Sequence, residues 1–109
     1  MNPEVQADCV YQAIAHHTRR RILTLLREGP KAATEIVRSF SVSQPAISRQ
    51  LKVLLEASLV TAKTAGRQRI YQLNAEPLSL VHEWVSRTIT DPSGHVWVLR
   101  GKRQGKKGS

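Results

Sequence analysis

Apolar residues recur along this chain in two rhythms, one helical and one extended. Over residues 4–16, Val5, Cys9, Ala13 and Ile14 return at roughly helical spacing among Gln6, Asp8 and Gln12, which predicts a first helix. Thr18 stands where a side-chain oxygen would cap a second helix, Arg19 to about Glu28. Its stripe is Ile22, Leu25 and Leu26, with Leu23 beside it. Gly29-Pro30 ends it, because glycine accepts the left-handed conformation after a helix and proline cannot continue one. Ala33, Ile36, Val37 and Phe40 fall at i, i+3, i+4 and i+7, so a short third helix is expected over 33–40. Ser41-Val42-Ser43 then makes a tight turn, and Ser43 caps a fourth helix, Gln44 to about Ala57. Pro45 is tolerated in its first turn, where N–H groups have no intrahelical acceptor. Ile47, Leu51, Leu54 and Leu55 form its apolar stripe.

Beyond Ser58 the period drops from 3.6 to about 2. Leu59–Thr64 and Gln68–Asn74 read as two strands rich in Val, Thr, Ile and Tyr, joined by the loop Ala65-Gly66-Arg67. A fifth helix is expected from Glu76 to about Thr90, with Pro77 in its first turn and Leu78, Val81, Trp84 and Val85 on one face. Asp91-Pro92-Ser93-Gly94 stops it. The expected fold is mainly α with a small β-hairpin: one domain over residues 1–95, then a basic tail over 96–109.

The third and fourth helices have helix-turn-helix spacing. On the fourth, Ser48, Arg49 and Lys52, with Pro45 between them, lie opposite Ile47, Leu51 and Leu54, while Ser43 and Gln44 occupy the N-terminal tip. Such a helix suits the major groove of double-stranded DNA. Gln pairs with adenine N6/N7, Arg with guanine O6/N7, and Ser with a base edge or a phosphate. Free N–H groups at the helix start also favour phosphate. Lys63, Arg67 and Arg69 cluster in and beside the hairpin turn, as in a wing that follows the DNA backbone or enters the minor groove. The bland alternatives are a solvated helix face and a hairpin whose cations discourage edge pairing.

Charge strengthens the first reading. The 109 residues carry a net +9, of which Arg100, Lys102, Arg103, Lys106 and Lys107 supply five, leaving +4 for residues 1–99. An anionic partner is expected, nucleic acid first. No apolar run is long enough to span a membrane, the N-terminus lacks a signal-peptide pattern, and the single Cys9 allows no disulfide within one chain. These point to a reducing, cytoplasmic setting.

These residues also carry a resemblance. Thr18-Arg19-Arg20-Arg21-Ile22-Leu23, then Ser43-Gln44-Pro45-Ala46-Ile47-Ser48-Arg49-Gln50-Leu51-Lys52-Val53-Leu54, Leu59-Val60 and Arg67-Gln68-Arg69-Ile70-Tyr71-Gln72-Leu73 resemble the ArsR/SmtB-type winged helix-turn-helix transcriptional regulators over about residues 5–85. The resemblance implies a homodimer that binds a palindromic operator and usually represses transcription. It assigns the dimer interface to the first and last helices, here the faces of Val5/Cys9 and Trp84/Val85. The chain departs from the family's pattern at Gln50, where His is frequent, and at Ser41 and Ser58, where Gly is frequent. Pro92 and Gly94 interrupt a region where related chains continue helical.

Many members of that family sense metals. The positions matching a third-helix site are Ala32, Thr34 and Val37, which hold no thiolate. His82-Glu83 and His16-His17 are adjacent pairs that point in different directions. No metal and no cofactor is therefore expected, and the effector, if there is one, is not identified by the sequence. Arg19-Arg20-Arg21 at the start of a helix oppose its dipole, so an anion is expected there, either DNA or a carboxylate such as Glu28. A protein-interaction module that uses no DNA sequence is the second reading. An enzyme is third, since no nucleophile–base pair, carboxylate cluster or phosphate-binding glycine loop occurs.

Overall fold

The computed structural model describes residues 3–95, so the expected tail at 96–109 lies outside the described residues. The elements run α1 (Pro3–Ile14), α2 (His17–Leu26), β1 (Lys31–Ala32), α3 (Ala33–Arg38), α4 (Gln44–Glu56), β2 (Val60–Ala65), β3 (Gln68–Leu73) and α5 (Leu78–Ile89). They fall into two compact units, the first ending at Leu78 and the second beginning at Ser79. All five expected helices are present, together with the hairpin. The pair Lys31–Ala32 is an addition: it joins β3 antiparallel, with Lys31 opposite Tyr71 and Ala32 opposite Ile70, in a sheet ordered β1-β3-β2.

The core of the first unit is built from stripes. Ile22, Leu23 and Leu26 of α2, Ile36 of α3, and Ile47, Leu51 and Leu54 of α4 are buried against Leu59, Val60 and Tyr71. On α1 the stripe differs from the expected one. Val10 and Ala13 are the buried residues, whereas Val5 is 50% exposed and Cys9 is partly covered. The helix is turned so that its Val10/Ala13 edge packs inward.

Helix boundaries follow local chemistry. The second helix starts two residues earlier than a Thr18 cap would set it, because His16 is the cap and its Nδ1 accepts the Thr18 N–H at 3.2 Å. α3 stops at Arg38, short of Phe40, where Ser39 donates its hydroxyl to the Glu35 carbonyl. Ser43 does cap α4: its Oγ accepts the Ala46 N–H at 3.3 Å, with Pro45 in the first turn.

The end of α4 fixes where the hairpin begins. Ser58 N–H bonds to the Leu55 carbonyl and Leu59 N–H to the Leu54 carbonyl, both at 3.0 Å, a Schellman closure. This requires a left-handed residue at position 58, and Ser58 takes φ +61° where glycine would be free of strain. Asn74 then ties the far end of the hairpin back. Its Nδ2 donates to the Ser58 carbonyl at 2.8 Å and its N–H to the Leu59 carbonyl at 2.8 Å.

In the second unit no residue of α5 is buried. A turn at Asp91 closes it, in which the carboxylate accepts from the Ser93 N–H, the Ser93 hydroxyl and the His95 N–H at 2.7–3.0 Å. Burial alone would raise the Asp91 carboxyl, but these hydrogen bonds outweigh it and hold the group below its ordinary pKa.

Candidate nucleic-acid interface

Helix α4 forms because Ser43 and Pro45 define its start and a three-residue stripe anchors its inner face. Ile47 and Leu54 are wholly buried and Leu51 nearly so. Burying that stripe leaves the opposite arc in solvent. Ser43, Gln44, Pro45, Ser48, Arg49 and Lys52 are all exposed. The sequence-predicted residues on this helix are therefore brought together on one surface, with their donors and acceptors turned outward. Glu56 belongs to the same arc, one turn beyond Lys52 and two beyond Arg49, and it too is exposed. A carboxylate there repels phosphate, so the cationic part of the arc ends at Lys52.

The hairpin differs from expectation in register. A three-residue loop, Ala65-Gly66-Arg67, would set Lys63 opposite Arg69 on one face. Instead Ala65 pairs with Gln68, Thr64 with Arg69 and Lys63 with Ile70, leaving a two-residue loop, Gly66-Arg67. Gly66 has φ +63°, as the first residue of a type II′ hairpin turn requires. One residue of slip moves a side chain to the other face of a strand. Lys63 and Arg69 therefore stand on opposite faces of the ribbon, with Arg67 at its tip. The three cations do not form one cluster.

Arg69 is also held, since its Nε donates to the Tyr71 hydroxyl at 3.1 Å and its guanidinium lies 5.6 Å from the centre of the Tyr71 ring. Tyr71 is 7% exposed, so Arg69 is anchored on the core side of the sheet. Lys63 and Arg67 carry the exposed charge of the outer face and the tip. The i, i+2 spacing of Arg69 and Tyr71 already placed both side chains on one strand face.

Among the described residues, the arginine run at the start of α2 meets no carboxylate. Arg19 donates from Nε to the Ala13 carbonyl at 2.7 Å, from Nη2 to the Gln12 carbonyl at 2.9 Å, and from Nη1 to Gln50 Oε1 at 2.7 Å. Arg20 donates to the Ile14 carbonyl at 2.8 Å. Arg21 lies over the Phe40 ring, 4.9 Å from its centre. The negative pole that offsets the first two cations is the C-terminus of α1, whose last carbonyls have no intrahelical donor. Glu28 pairs with Lys31 instead, at 3.3 Å. Gln50, at a position where the family frequently has His, is turned inward as an acceptor for Arg19.

Among the described residues, no group of three or more His, Cys, Asp or Glu side chains is placed to hold a metal ion. Among them also, no helix is long and apolar enough to cross a membrane.

A two-helix motif with an exposed polar face on its second helix, followed by an antiparallel hairpin with a basic tip, defines a winged helix-turn-helix protein. The model of the bacterial regulatory proteins of the arsR family matches residues 16–62, from the cap of α2 into β2. The HTH-type transcriptional regulator Rv2034 of Mycobacterium tuberculosis is 42% identical over 83 residues, 76% of this chain and 78% of that protein. The transcriptional repressor SdpR of Bacillus subtilis is 36% identical over 80 residues, 73% of this chain and 89% of that protein. The solution structure of the homodimeric winged helix-turn-helix DNA-binding domain Mb0332 of Mycobacterium bovis superposes with a TM-score of 0.63. It has 26% identity over 76% of this chain and 77% of that one. The chain belongs to the ArsR family and is a DNA-binding transcriptional regulator, not an enzyme.

Proposed function

We propose that this protein is a cytoplasmic homodimeric repressor that reads a palindromic operator with α4 and steadies itself on the flanking backbone with the wing. The observation that carries the reading is the division of α4: three residues sealed in the core, and Gln44, Ser48, Arg49 and Lys52 left open on one arc. Gln44, Ser48 and Arg49 supply base choice, and Ser43, Pro45 and Lys52 border the phosphates. Lys63, Arg67 and Arg69 supply sequence-independent attraction, mostly through the first two, because Arg69 is tethered to Tyr71.

Dimerisation is supported by apolar side chains that stay partly exposed on two helices: Val5 of α1, 50% exposed, and Trp84 and Val85 of α5, 52% and 37% exposed. Two α4 helices related by a two-fold axis fit half-sites one turn of DNA apart, roughly 34 Å. Repression follows sterically where such a site overlaps a promoter.

The test is a gel shift with DNA from upstream of the protein's own gene over a range of salt. Gln44→Ala is expected to weaken binding and change base preference. Arg67→Ala and Lys63→Ala are expected to weaken all duplexes alike and to lower the salt slope by about one each. Wild-type binding and salt slope in all three variants would contradict the assigned surface.

A further inference from the structure

We infer that Arg19 and Gln50 set the rotation of the reading helix, making this pair a specificity-determining clamp although neither side chain belongs to the exposed reading arc. The inference rests on the proposed role of α4. One guanidinium spans two helices. Its Nε and Nη2 hold two carbonyls in the last turn of α1, those of Ala13 and Gln12, while Nη1 holds the Oε1 of Gln50, halfway along α4, at 2.7 Å. Arg19 and Gln50 are both partly buried, so water competes only in part for these bonds. The guanidinium is planar and its donors are fixed relative to one another. Three acceptors on one fork therefore hold a bearing as well as a distance.

The bearing matters because of where Gln50 sits. It follows Arg49 directly and lies about 100° around the helix from it, on the flank between the buried stripe and the reading arc. The contacts of the apolar stripe, Ile47, Leu51 and Leu54, are non-directional, so a directional bond on the flank of α4 adds a constraint on its rotation that they do not supply. Side-chain tips lie about 6 Å from a helix axis, so a turn of roughly 10° carries the Arg49 tip about 1 Å. That exceeds the roughly 0.5 Å range over which a base-edge hydrogen bond stays good. Phosphate contacts made by flexible lysines are less sensitive to such a shift. The clamp should therefore govern specific binding far more than nonspecific binding.

The full chain is tested with a duplex that the parent protein enriches from a random-sequence library, and with a scrambled duplex of the same composition. Arg19→Lys keeps the charge but cannot fork to three acceptors. Gln50→Met keeps the shape but removes the acceptor, and it leaves Arg19 bound to α1, so the test survives if Arg19→Lys melts the fold. Each is expected to lose about tenfold in affinity for the enriched duplex while holding the scrambled one within about twofold. The double variant is expected to lose no more than the worse single one, because both changes break the same bond. Unchanged affinity for the enriched duplex, equal losses on both duplexes, or additive losses would each overturn the clamp and leave the DNA-reading role of α4 standing. A parent protein that enriches no duplex would overturn both.

Discussion

Helices α4 and α5 are of nearly equal length, thirteen and twelve residues, and both are amphipathic, yet they leave opposite faces uncovered. α4 buries Ile47, Leu51 and Leu54 and presents amide, hydroxyl and cationic groups. No residue of α5 is fully buried, Leu80 and Val81 are partly covered, and Trp84 and Val85 are exposed. The uncovered face of a helix describes the chemistry of what it meets. A polar, cationic arc suits the edges and phosphates of a duplex, and an apolar face suits another protein surface. On the proposed reading, the same amphipathic pattern serves recognition in one helix and assembly in the other.

The contrast is broken most severely from the inside of α4. Leu54→Ala removes a wholly buried side chain at the Schellman closure and is expected to cost about 2–5 kcal/mol of stability. Thermal unfolding followed by circular dichroism measures it. On the outside of the same helix, Arg49→Ala is expected to leave the melting temperature in place. It should cost about 1–3 kcal/mol of binding to an enriched duplex and relax the choice of one base pair. Fluorescence anisotropy with single-position variants of the duplex checks both parts.

On α5 the outcome should separate differently. Val85→Asp places a charge on an exposed apolar face and is expected to raise the dimer dissociation constant at least tenfold by sedimentation, at little cost to the fold of the first unit. A dimer that tolerates the aspartate would mean that α5 meets something else. The smallest effect is a gain. Ser58→Gly relieves a left-handed serine and is expected to add about 0.5–1 kcal/mol to stability, read as a higher urea midpoint with the slope unchanged.

Much of this was legible beforehand because the determinants are local. The stripe of α4, its Ser43 cap, the Gly29-Pro30 stop and the wing each depend on residues within one or two turns of one another. What was not legible depends on contacts made at a distance or on a count of one. β1 is two residues long, and its strand character exists only because β3 lies beside it. The loop of the wing is two residues and not three, which moves Lys63 away from Arg69. His16 caps α2 in place of Thr18 through a ring nitrogen that propensity rules rank below a hydroxyl. The arginines early in α2 looked like cations awaiting an anion. Arg19 and Arg20 bond instead to carbonyls of the preceding helix, and nothing in the linear pattern shows that α1 ends within their reach. The reading arc itself needed no such information, because burying the apolar stripe leaves only one face to the solvent.

The claim that α4 and its symmetry mate read one duplex is tested most directly by selecting bound fragments from a random-sequence library with the purified full chain. The expected product is an inverted repeat whose half-site centres lie about 10 base pairs apart. Recovery of no enriched sequence, or of one unrepeated motif, would contradict it.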